Sequence, residues 1–406
     1  MIVKISADKC RGRRRYEGAE IRLPANRFAL ADALQRAQVP EGCGYSLHGF
    51  EGCPDFLRTA LISCGDKTLE EVNCLAETVS RMDENQLDTY EGIIMLRRDS
   101  DLDHPMTIRE LINAAYNLDC FEFRPGVTND RILGGLCIEE DLLEELEAMT
   151  DEERDLLDEQ KVGSELRRRD QGDFTSKGYI YRCSCNEKEV YDGVRLPEQP
   201  ERHAGVLSIC LKKEMAPAGD GAEVWLELPA DRQTVGMALQ KLGVPSFDFC
   251  AVTGYEGILP LPEGWMADNG EVGKLNVLAE RLSAFPDSRT VMKYKAVLEL
   301  EGYPEIDRML DITKNLDCYD YDPVIVTAAD YGEYVLREAG LDTGDPAFSS
   351  FFDFKGYGER QLQQSGFVST PYGMVIRNGL PFEQECVGMD PAPDGKEGQQ
   401  MGGMQL

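Results

Sequence analysis

Histidine, tryptophan and basic residues are scarce in this sequence of 406 residues. It holds three His, two Trp and 43 Lys or Arg against 74 Asp or Glu, so its formal net charge at pH 7 is −31. So large a negative field repels phosphate groups, which argues against direct binding of nucleic acid or of an anionic membrane surface. The charge instead favours a protein partner with a basic binding surface.

Long apolar runs are also missing. No stretch approaches the roughly 20 apolar residues that a membrane-spanning helix requires, and residues 1–8 lack the apolar centre of a secretory signal peptide. We therefore expect a soluble, cytoplasmic protein without a membrane partner. Its 13 cysteines are an odd number, which in such a protein predicts reduced thiols rather than a disulfide framework.

The sequence has no motif typical of catalysis or metal binding. There is no nucleophile elbow, phosphate-binding glycine loop or paired-histidine zinc motif. Residues 99–110 place four acidic residues at ligand positions of an EF-hand loop, but His104 occupies the position that needs glycine. Cys183 and Cys185 are too close together for a zinc knuckle. We therefore predict a protein that is not an enzyme and that holds no cofactor and no metal.

One sequence pattern recurs about 200 residues further along the chain. Four blocks of residues are similar in the two places, and these are 21–27 with 225–232, 50–52 with 255–257, 75–77 with 278–280, and 117–120 with 315–318. The blocks keep their order, which predicts a tandem duplication. We place copy one at 1–183, a linker at 184–204, copy two at 205–378 and a disordered tail, rich in Gly, Pro and Gln, at 379–406.

The predicted fold class is α+β, with each copy an elongated string of three small zones. The first zone is α+β and the second is helical, with amphipathic helices at 69–82 and 273–285. The third zone is again α+β. It is predicted to begin with a strand that includes the repeated Asn-Leu-Asp-Cys sequence at 117–120 or 315–318, and to end with a strand at 179–183 or 374–377.

The acidity follows the duplication. Residues 101–200 and 301–406 together carry −25 of the net charge of −31, so the charge belongs mainly to the later part of each copy. Its densest run is 139–159, with twelve carboxylates and one arginine. Leucines in this run have a spacing that predicts a helix with one apolar stripe. Like charges three and four residues apart would destabilise such a helix, which suggests that the negative field is itself useful.

The candidate partner-binding residues are therefore carboxylates of the two third zones. In copy one they are Glu139, Glu140, Asp141, Glu144, Glu145, Asp151, Glu152, Asp155 and Asp158. In copy two they are Asp317, Asp320, Asp322, Asp330, Glu333, Asp342, Asp345, Asp353 and Glu359. The neighbouring aromatics Phe351, Phe352, Phe354 and Tyr357 favour core packing, with a partner-binding patch as the alternative.

Copy two resembles a known family. Its segments 329–338 (ADYGEYVLRE), 352–360 (FDFKGYGER) and 366–370 (GFVST) are similar to the closing part of the ArdA antirestriction family. The segment 273–282 (GKLNVLAERL) resembles the central helix of that family. The resemblance extends over nearly all of 205–378. Copy one is similar more loosely, since it keeps counterparts of Asp353, Gly358 and Gly373 but not of Phe354 and Tyr357.

The resemblance implies a function without catalysis. Members of the ArdA family are mimics of bent DNA that occupy the DNA groove of type I restriction-modification enzymes, and they are usually homodimers. The resemblance therefore implies an antirestriction protein, with two copies in one chain acting as an intramolecular pseudo-dimer or with the chain forming a homodimer. The alternatives are a DNA mimic directed at another protein, such as a CRISPR effector or a nucleoid protein, and an acidic metal-dependent enzyme.

Overall fold

The computed structural model describes residues 1–8, 18–39, 42–100, 105–183, 185–197, 205–214 and 222–385. The chain divides into two compact units. The first unit contains residues 1–8, 19–25 and 44–200, and the second contains residues 9–18, 26–43 and 201–406. Both combine helices with small three-stranded antiparallel sheets, so the predicted mixture of helix and strand is confirmed. Among the described residues no helix is long and apolar enough to cross a membrane.

The elements up to residue 183 form two sheets and a series of helices. In chain order they are β1 (Ile2–Ala7), β2 (Ala19–Arg22), α1 (Arg27–Arg36), β3 (Tyr45–Glu51), α2 (Asp55–Ser63), α3 (Leu69–Ser80), α4 (Glu84–Ser100), α5 (Ile108–Ala115), β4 (Phe121–Pro125), α6 (Asp130–Glu139), α7 (Glu144–Glu147), α8 (Asp151–Arg154), α9 (Glu159–Asp170), β5 (Asp173–Phe174) and β6 (Gly178–Arg182). All of these except α1 belong to the first unit.

The first sheet of the first unit has the strand order β2-β1-β3. Residues of β1 are alternately buried and half-buried, as its alternating sequence predicts. After β2 the chain turns at Leu23 and a cis Pro24. The side chain of Asn73 in α3 holds this turn, because its Oδ1 accepts the N–H of Ala25 at 2.8 Å and its Nδ2 donates to the Ala25 carbonyl at 3.0 Å.

Helices α3 and α5 begin with matching caps. Thr68 and Thr107 each form a capping box with the glutamate three residues later, Glu71 or Glu110. The buried Tyr90 of α4 donates its hydroxyl to the Leu111 carbonyl of α5 at 2.9 Å. The helix predicted at 69–82 is therefore present as α3, with a start that agrees with its Thr-Leu-Glu-Glu sequence.

The elements after residue 205 repeat the same kinds of structure. They are β7 (Leu207–Lys213), β8 (Glu223–Leu228), α10 (Arg232–Leu242), β9 (Cys250–Gly257), α11 (Trp265–Asn269), α12 (Val272–Ser283), α13 (Ser288–Leu300), α14 (Ile306–Lys314), β10 (Tyr319–Asp322), α15 (Ala328–Glu338), α16 (Pro346–Ser349), α17 (Phe354–Ser365), β11 (Val368–Thr370) and β12 (Gly373–Arg377). The sheets have the orders β8-β7-β9 and β10-β12-β11. One apolar core extends from β7 through α12–α14 to β12.

Helix α1 packs in the second unit although it follows β2 in the chain. Its Asp32 is 7% exposed and accepts a hydrogen bond from Lys295 Nζ at 2.7 Å, and Lys295 is itself 2% exposed. Tyr372 also donates to Asp32, at 2.9 Å. Gln38, just after the helix, donates to the Pro371 carbonyl at 3.2 Å. A buried ion pair and apolar contacts therefore hold this helix in the second unit.

Two sequence predictions about the third zones are wrong. The Asn-Leu-Asp-Cys sequences form 3-10 turns, at Leu118–Cys120 and Leu316–Cys318, and the strand begins one residue later. The reason is that the preceding asparagine is used to hold another segment. Asn117 donates to the Lys188 carbonyl and accepts its N–H, and Asn315 does the same with Glu383. Glu383 belongs to the segment 379–406 that was predicted to be a disordered tail. Residues 386–406 of that segment lie outside the described residues.

The second wrong prediction is a continuous helix through the acidic run 139–159. The run contains the end of α6, the two short helices α7 and α8, and the start of α9. Asp141 has a left-handed backbone with φ of 53°, and Leu143 is extended. Leu143 and Leu146 are buried against α6 and α9. The spacing of the leucines fits a helix, but burying them against two neighbouring helices bends the chain instead.

Candidate functional site

The acidic run of the first unit is carried on two helices that cross at glycine. A Cβ on Gly134 of α6 would lie 1.7 Å from the Glu159 carbonyl oxygen, and one on Gly163 of α9 would lie 1.8 Å from the Asp130 carbonyl oxygen. Only glycine allows such a close approach of two helix backbones. The crossing fixes both ends of residues 139–159, which we call the acidic segment.

Arginines from four different elements pair with carboxylates of the acidic segment, and one of them is Arg131 of α6, which pairs with Glu159 at 3.0 Å. Arg124 of β4 pairs with Glu140 at 2.7 Å, Arg154 of α8 pairs with Asp141 at 2.7 Å, and Arg169 of α9 pairs with Glu145 at 2.7 Å. The repulsion that the sequence leads us to expect among these like charges is therefore partly offset, because arginines lie beside the carboxylates once the chain is folded.

The nine candidate carboxylates of the first unit are all exposed. Four of them have a cationic partner, namely Glu140, Asp141, Glu145 and Asp158, the last paired with Lys161 at 3.2 Å. The other five form no side-chain hydrogen bond or ion pair with any described residue. We call them the open carboxylates, and they are Glu139, Glu144, Asp151, Glu152 and Asp155.

Hydrogen bonds from cationic side chains lower the pKa of three carboxylates in and beside the acidic segment. Hydrogen bonds from Arg168 and Arg169 lower the pKa of Glu165 to about 2. The hydrogen bond from Arg169 also lowers the pKa of Glu145, and the one from Lys161 lowers the pKa of Asp158. These carboxylates therefore stay ionised to lower pH than an isolated acid. The side chains keep their negative charge while each is held in one orientation.

The third zone of the second unit has a similar helix crossing. A Cβ on Gly358 of α17 would lie 1.6 Å from the Ala328 carbonyl oxygen, and one on Gly332 of α15 would lie 2.4 Å from the Phe354 carbonyl oxygen. Gly163 is the sequence counterpart of Gly358, 195 positions earlier, whereas Gly134 and Gly332 were not singled out from the sequence. Their position, 198 residues apart inside similar helices, is the signal that could have revealed them.

Most candidate carboxylates of the second unit hold the local backbone. Asp345 and Asp353 cap α16 and α17, Asp330 completes the capping box of α15, and Asp322 and Asp342 accept backbone N–H groups in turns. Asp320 accepts a hydrogen bond from Asn378 at 3.1 Å, and Glu333 accepts one from Arg337 at 2.7 Å. Asp317 and Glu359 are exposed and form no such side-chain bond with the described residues.

The burial of these carboxylates differs between the two units. Asp322, Asp330 and Glu333 are half-buried, whereas the other six candidates of the second unit are exposed. A carboxylate that caps a helix keeps its charge and contributes to the field. Its replacement would also weaken the helix, typically by about 0.5–2 kcal/mol. The second unit therefore combines charge with local structure in the same side chains.

The aromatic residues beside α17 are mainly core. Phe354 is 3% exposed, and Phe348, Phe352 and Tyr357 pack around it. Phe351 is different, with 76% of its surface exposed, and Leu156 in the first unit is 85% exposed. Leu156 lies 195 positions before Phe351 and was not singled out from the sequence. Leu156 and Phe351 are therefore large apolar side chains that are exposed close to candidate carboxylates.

The first unit also has a cavity beside α5. It is a cavity of about 410 Å³ whose lining includes Arg97, Arg109, Glu187 and Glu189. Arg97 pairs with Glu187, and Arg109 pairs with Glu189. Two arginines of this cavity thus have a carboxylate beside them, whereas Glu110, which also lines it, accepts hydrogen bonds from Thr107.

Metal-ligand geometry is not formed within the described ranges. There, no three His, Cys, Asp or Glu side chains are grouped so that they could hold a metal ion. Asp101, Asp103 and His104 of the EF-hand-like sequence lie outside the described residues. When the chain is compared with models of known protein families and with curated proteins, neither comparison gives a match.

Proposed function

We propose that this protein is a DNA-mimicking antirestriction protein that inhibits type I restriction-modification enzymes by occupying their DNA-binding groove. The observation that carries the proposal is the acidic segment, in which nine exposed carboxylates lie on a scaffold fixed by the glycine crossing. A groove that binds DNA recognises negative charges at defined positions. Carboxylates held on short helices can meet that requirement with little loss of conformational entropy on binding.

The proposal includes a tandem duplication of one α+β, helical, α+β unit. The asparagine that holds the turn after β2 has a counterpart after β8. Asn276 Oδ1 accepts the Ala230 N–H at 2.7 Å, and its Nδ2 donates to the Ala230 carbonyl at 3.3 Å, just as Asn73 does with Ala25. In both places the preceding Leu-Pro bond is cis.

Further matches support the duplication in the second and third zones. Tyr90 donates to the Leu111 carbonyl, and Tyr294 donates to the Met309 carbonyl, each at 2.9 Å. Thr175 and Thr370 each donate to the carbonyl of the glycine three residues later. The same side chains form the same hydrogen bonds in the two units. This agreement is a stronger argument for a duplication than a shared order of helices and strands.

With two copies, one chain supplies both halves of what the ArdA family makes from two chains. We expect the purified protein to have the mass of a single chain in sedimentation equilibrium at micromolar concentration. A stable dimer of full chains would contradict this part of the proposal without affecting the DNA mimicry.

The test of DNA mimicry uses the open carboxylates, because they stabilise no neighbouring group. We would compare the wild-type protein with the variant Glu139→Gln, Glu144→Gln, Asp151→Asn, Asp155→Asn as inhibitors of DNA cleavage by a purified type I restriction enzyme. If each exposed pair contributes about 0.5 kcal/mol, the four changes raise the half-inhibitory concentration by roughly thirtyfold. Inhibition by the wild-type protein should weaken steeply with added salt.

The matched control removes the same charge elsewhere. Glu51, Asp66, Glu84 and Glu263 are exposed and lie outside the third zones, so neutralising all four changes the net charge equally. This control should inhibit almost as well as the wild-type protein. Equal weakening in both variants would mean that only the general field matters, and unchanged inhibition by the open-carboxylate variant would refute the proposed surface.

A further inference from the structure

Three cysteines meet where the third zone of the first unit begins and ends. Cys120 closes the 3-10 turn before β4, and Cys183 follows β6. The N–H of Cys183 donates to the Cys120 carbonyl at 2.9 Å, which continues the pairing of β4 with β6. The thiol of Cys185 lies 3.8 Å from the carbonyl oxygen of Asp119, the residue that precedes Cys120.

The second unit has the same backbone arrangement with two thiols fewer. The N–H of Asn378 donates to the Cys318 carbonyl at 2.8 Å, so Asn378 takes the place of Cys183. The residue in the place of Cys185 is Leu380, which is 54% exposed. The Cys318 thiol donates to the Pro381 carbonyl at 3.3 Å. Packing therefore explains Cys318 and its counterpart Cys120, but it leaves Cys185 of the first unit unexplained.

We propose that Cys120 and Cys185 are a redox modification site, at which oxidation forms a disulfide that closes the third zone of the first unit. The oxidant is a peroxide. Hydrogen peroxide first converts the exposed Cys185 thiol into a sulfenic acid and releases one water. The Cys120 sulfur then attacks the Cys185 sulfur, the S–S bond forms, and the sulfenic oxygen leaves with two protons as a second water. Two sulfurs are oxidised while one peroxide is reduced.

The difference in exposure between Cys120 and Cys185 indicates which thiol is oxidised first. Cys120 is 3% exposed, whereas Cys185 is exposed, so peroxide reaches Cys185 first. The hydrogen bond from Cys185 raises the pKa of Cys120 to about 11, and burial and the nearby Asp119 and Glu187 act in the same direction. Because the thiolate is the attacking form, the disulfide should form faster as the pH rises.

The bond would change the stability of the zone that carries the acidic segment. Residues 185–191 are already held by Asn113 and Asn117, since Asn113 Oδ1 accepts the N–H groups of Val190 and Tyr191. A disulfide adds a covalent closure from the start of β4 to the chain after β6. Ring closure lowers the entropy of the unfolded chain, so the oxidised protein should resist unfolding of this zone. The inference does not depend on the proposed function.

The experiment exposes the full-length protein to hydrogen peroxide at about pH 9, where thiolates are more abundant. Remaining thiols are then alkylated, and the protein is digested without reduction for peptide mass spectrometry. We expect a peptide pair joined through Cys120 and Cys185, lighter by two hydrogen atoms and separated again by dithiothreitol. Oxidation should raise the Tm of the first unit by roughly 5 °C, and Cys185→Ser should abolish both effects.

The second unit offers a matched control. In the variant Leu380→Cys a thiol occupies the place of Cys185, so peroxide should also join Cys318 with position 380. Replacement of the exposed Cys43 by serine should leave the Cys120–Cys185 product unchanged. Cys120 and Cys185 that both remain open to alkylation, a Cys183–Cys185 product, or links between chains alone would each overturn the proposal.

Discussion

The ion pair between Asp32 and Lys295 predicts how strongly α1 is held in the second unit. Lys295 Nζ donates to Asp32 Oδ1 and to Gln35 Oε1, each at 2.7 Å. Asp32 also accepts from Arg36 and from Tyr372, each at 2.9 Å. The two charges are thus unequally supported, because Asp32 has three donors whereas Lys295 has one carboxylate and one amide oxygen.

This difference sets the expected order of the variants. Asp32→Leu leaves the buried Lys295 ammonium with Gln35 and the ring of Tyr372 but without an opposite charge, and removing one partner of a buried pair costs about 3–5 kcal/mol. Lys295→Met leaves Asp32 with Arg36 and Tyr372, so we expect a smaller loss, about 1–3 kcal/mol. The double variant removes both charges and should be more stable than the sum of the single losses by about 2 kcal/mol or more.

The same pair predicts a dependence on pH. Burial lowers the pKa of Lys295, so between its folded value and the unfolded value of about 10.4 the unfolded chain binds more protons. The free energy of unfolding should therefore rise with pH in that window, and Lys295→Met should remove this contribution. Tyr372 has a raised pKa, but a raised tyrosine pKa acts on stability only above about pH 10. The pH dependence of the free energy of unfolding, measured below about pH 10, therefore reports on Lys295 without a contribution from Tyr372.

Hydrogen exchange measured by mass spectrometry on peptides from 27–36 gives the free energy of opening for α1 directly. A loss below about 1 kcal/mol for Asp32→Leu, against the cost of breaking a buried pair, would refute the reasoning. Additive losses in the double variant would refute it as well, because they would mean that the two charges do not interact.

Three further predictions concern the scaffold. Gly134→Ala should lower the free energy of unfolding by about 3 kcal/mol or more because its Cβ meets backbone, whereas Gly135→Ala, whose Cβ has its nearest atom at 4.0 Å, should stabilise α6 by about 0.5–1 kcal/mol; urea denaturation measures both. Asn73→Ala and Asn276→Ala should each cost about 1–3 kcal/mol in the same assay, since each removes two hydrogen bonds to a half-buried backbone. The lowered pKa of Glu165, about 2, means that its contribution to stability is present above about pH 4.3 and is lost as the pH falls towards 2; acid unfolding followed by circular dichroism should be less steep for Glu165→Gln.

Local signals in the sequence predicted part of the regular structure, such as the helices at 69–82 and 273–285, which form α3 and α12. The alternation of β1 and the capping box before α3 depend on residues close together in the chain, and such patterns can be recognised without the fold. The acidic segment differs because its conformation depends on distant residues. Arg124 and Arg169 come from β4 and α9, and no pattern within 139–159 predicts that they lie there.

The position of α1 shows the same limit. Its sequence places Asp32 among apolar residues on a helix that is buried on most sides, which is a local signal for a buried charge with a partner. The partner is 263 residues away, and one sequence contains no signal that selects Lys295 among the other lysines. Asn73 and Asn276 illustrate the same limit. Each lies two residues before a repeated block, at 75–77 or 278–280, but only the structure shows that their side chains bind the backbone of Ala25 and Ala230.

The two third zones use carboxylates in different ways on one kind of scaffold. In the first unit arginines from neighbouring elements neutralise part of the acidic segment and leave the five open carboxylates without a structural role among the described residues. In the second unit five candidates accept backbone N–H groups instead. Neutralising the second unit therefore changes charge and fold together. Neutralising the open carboxylates changes charge alone, so the first unit gives the cleaner test of the proposed DNA mimicry.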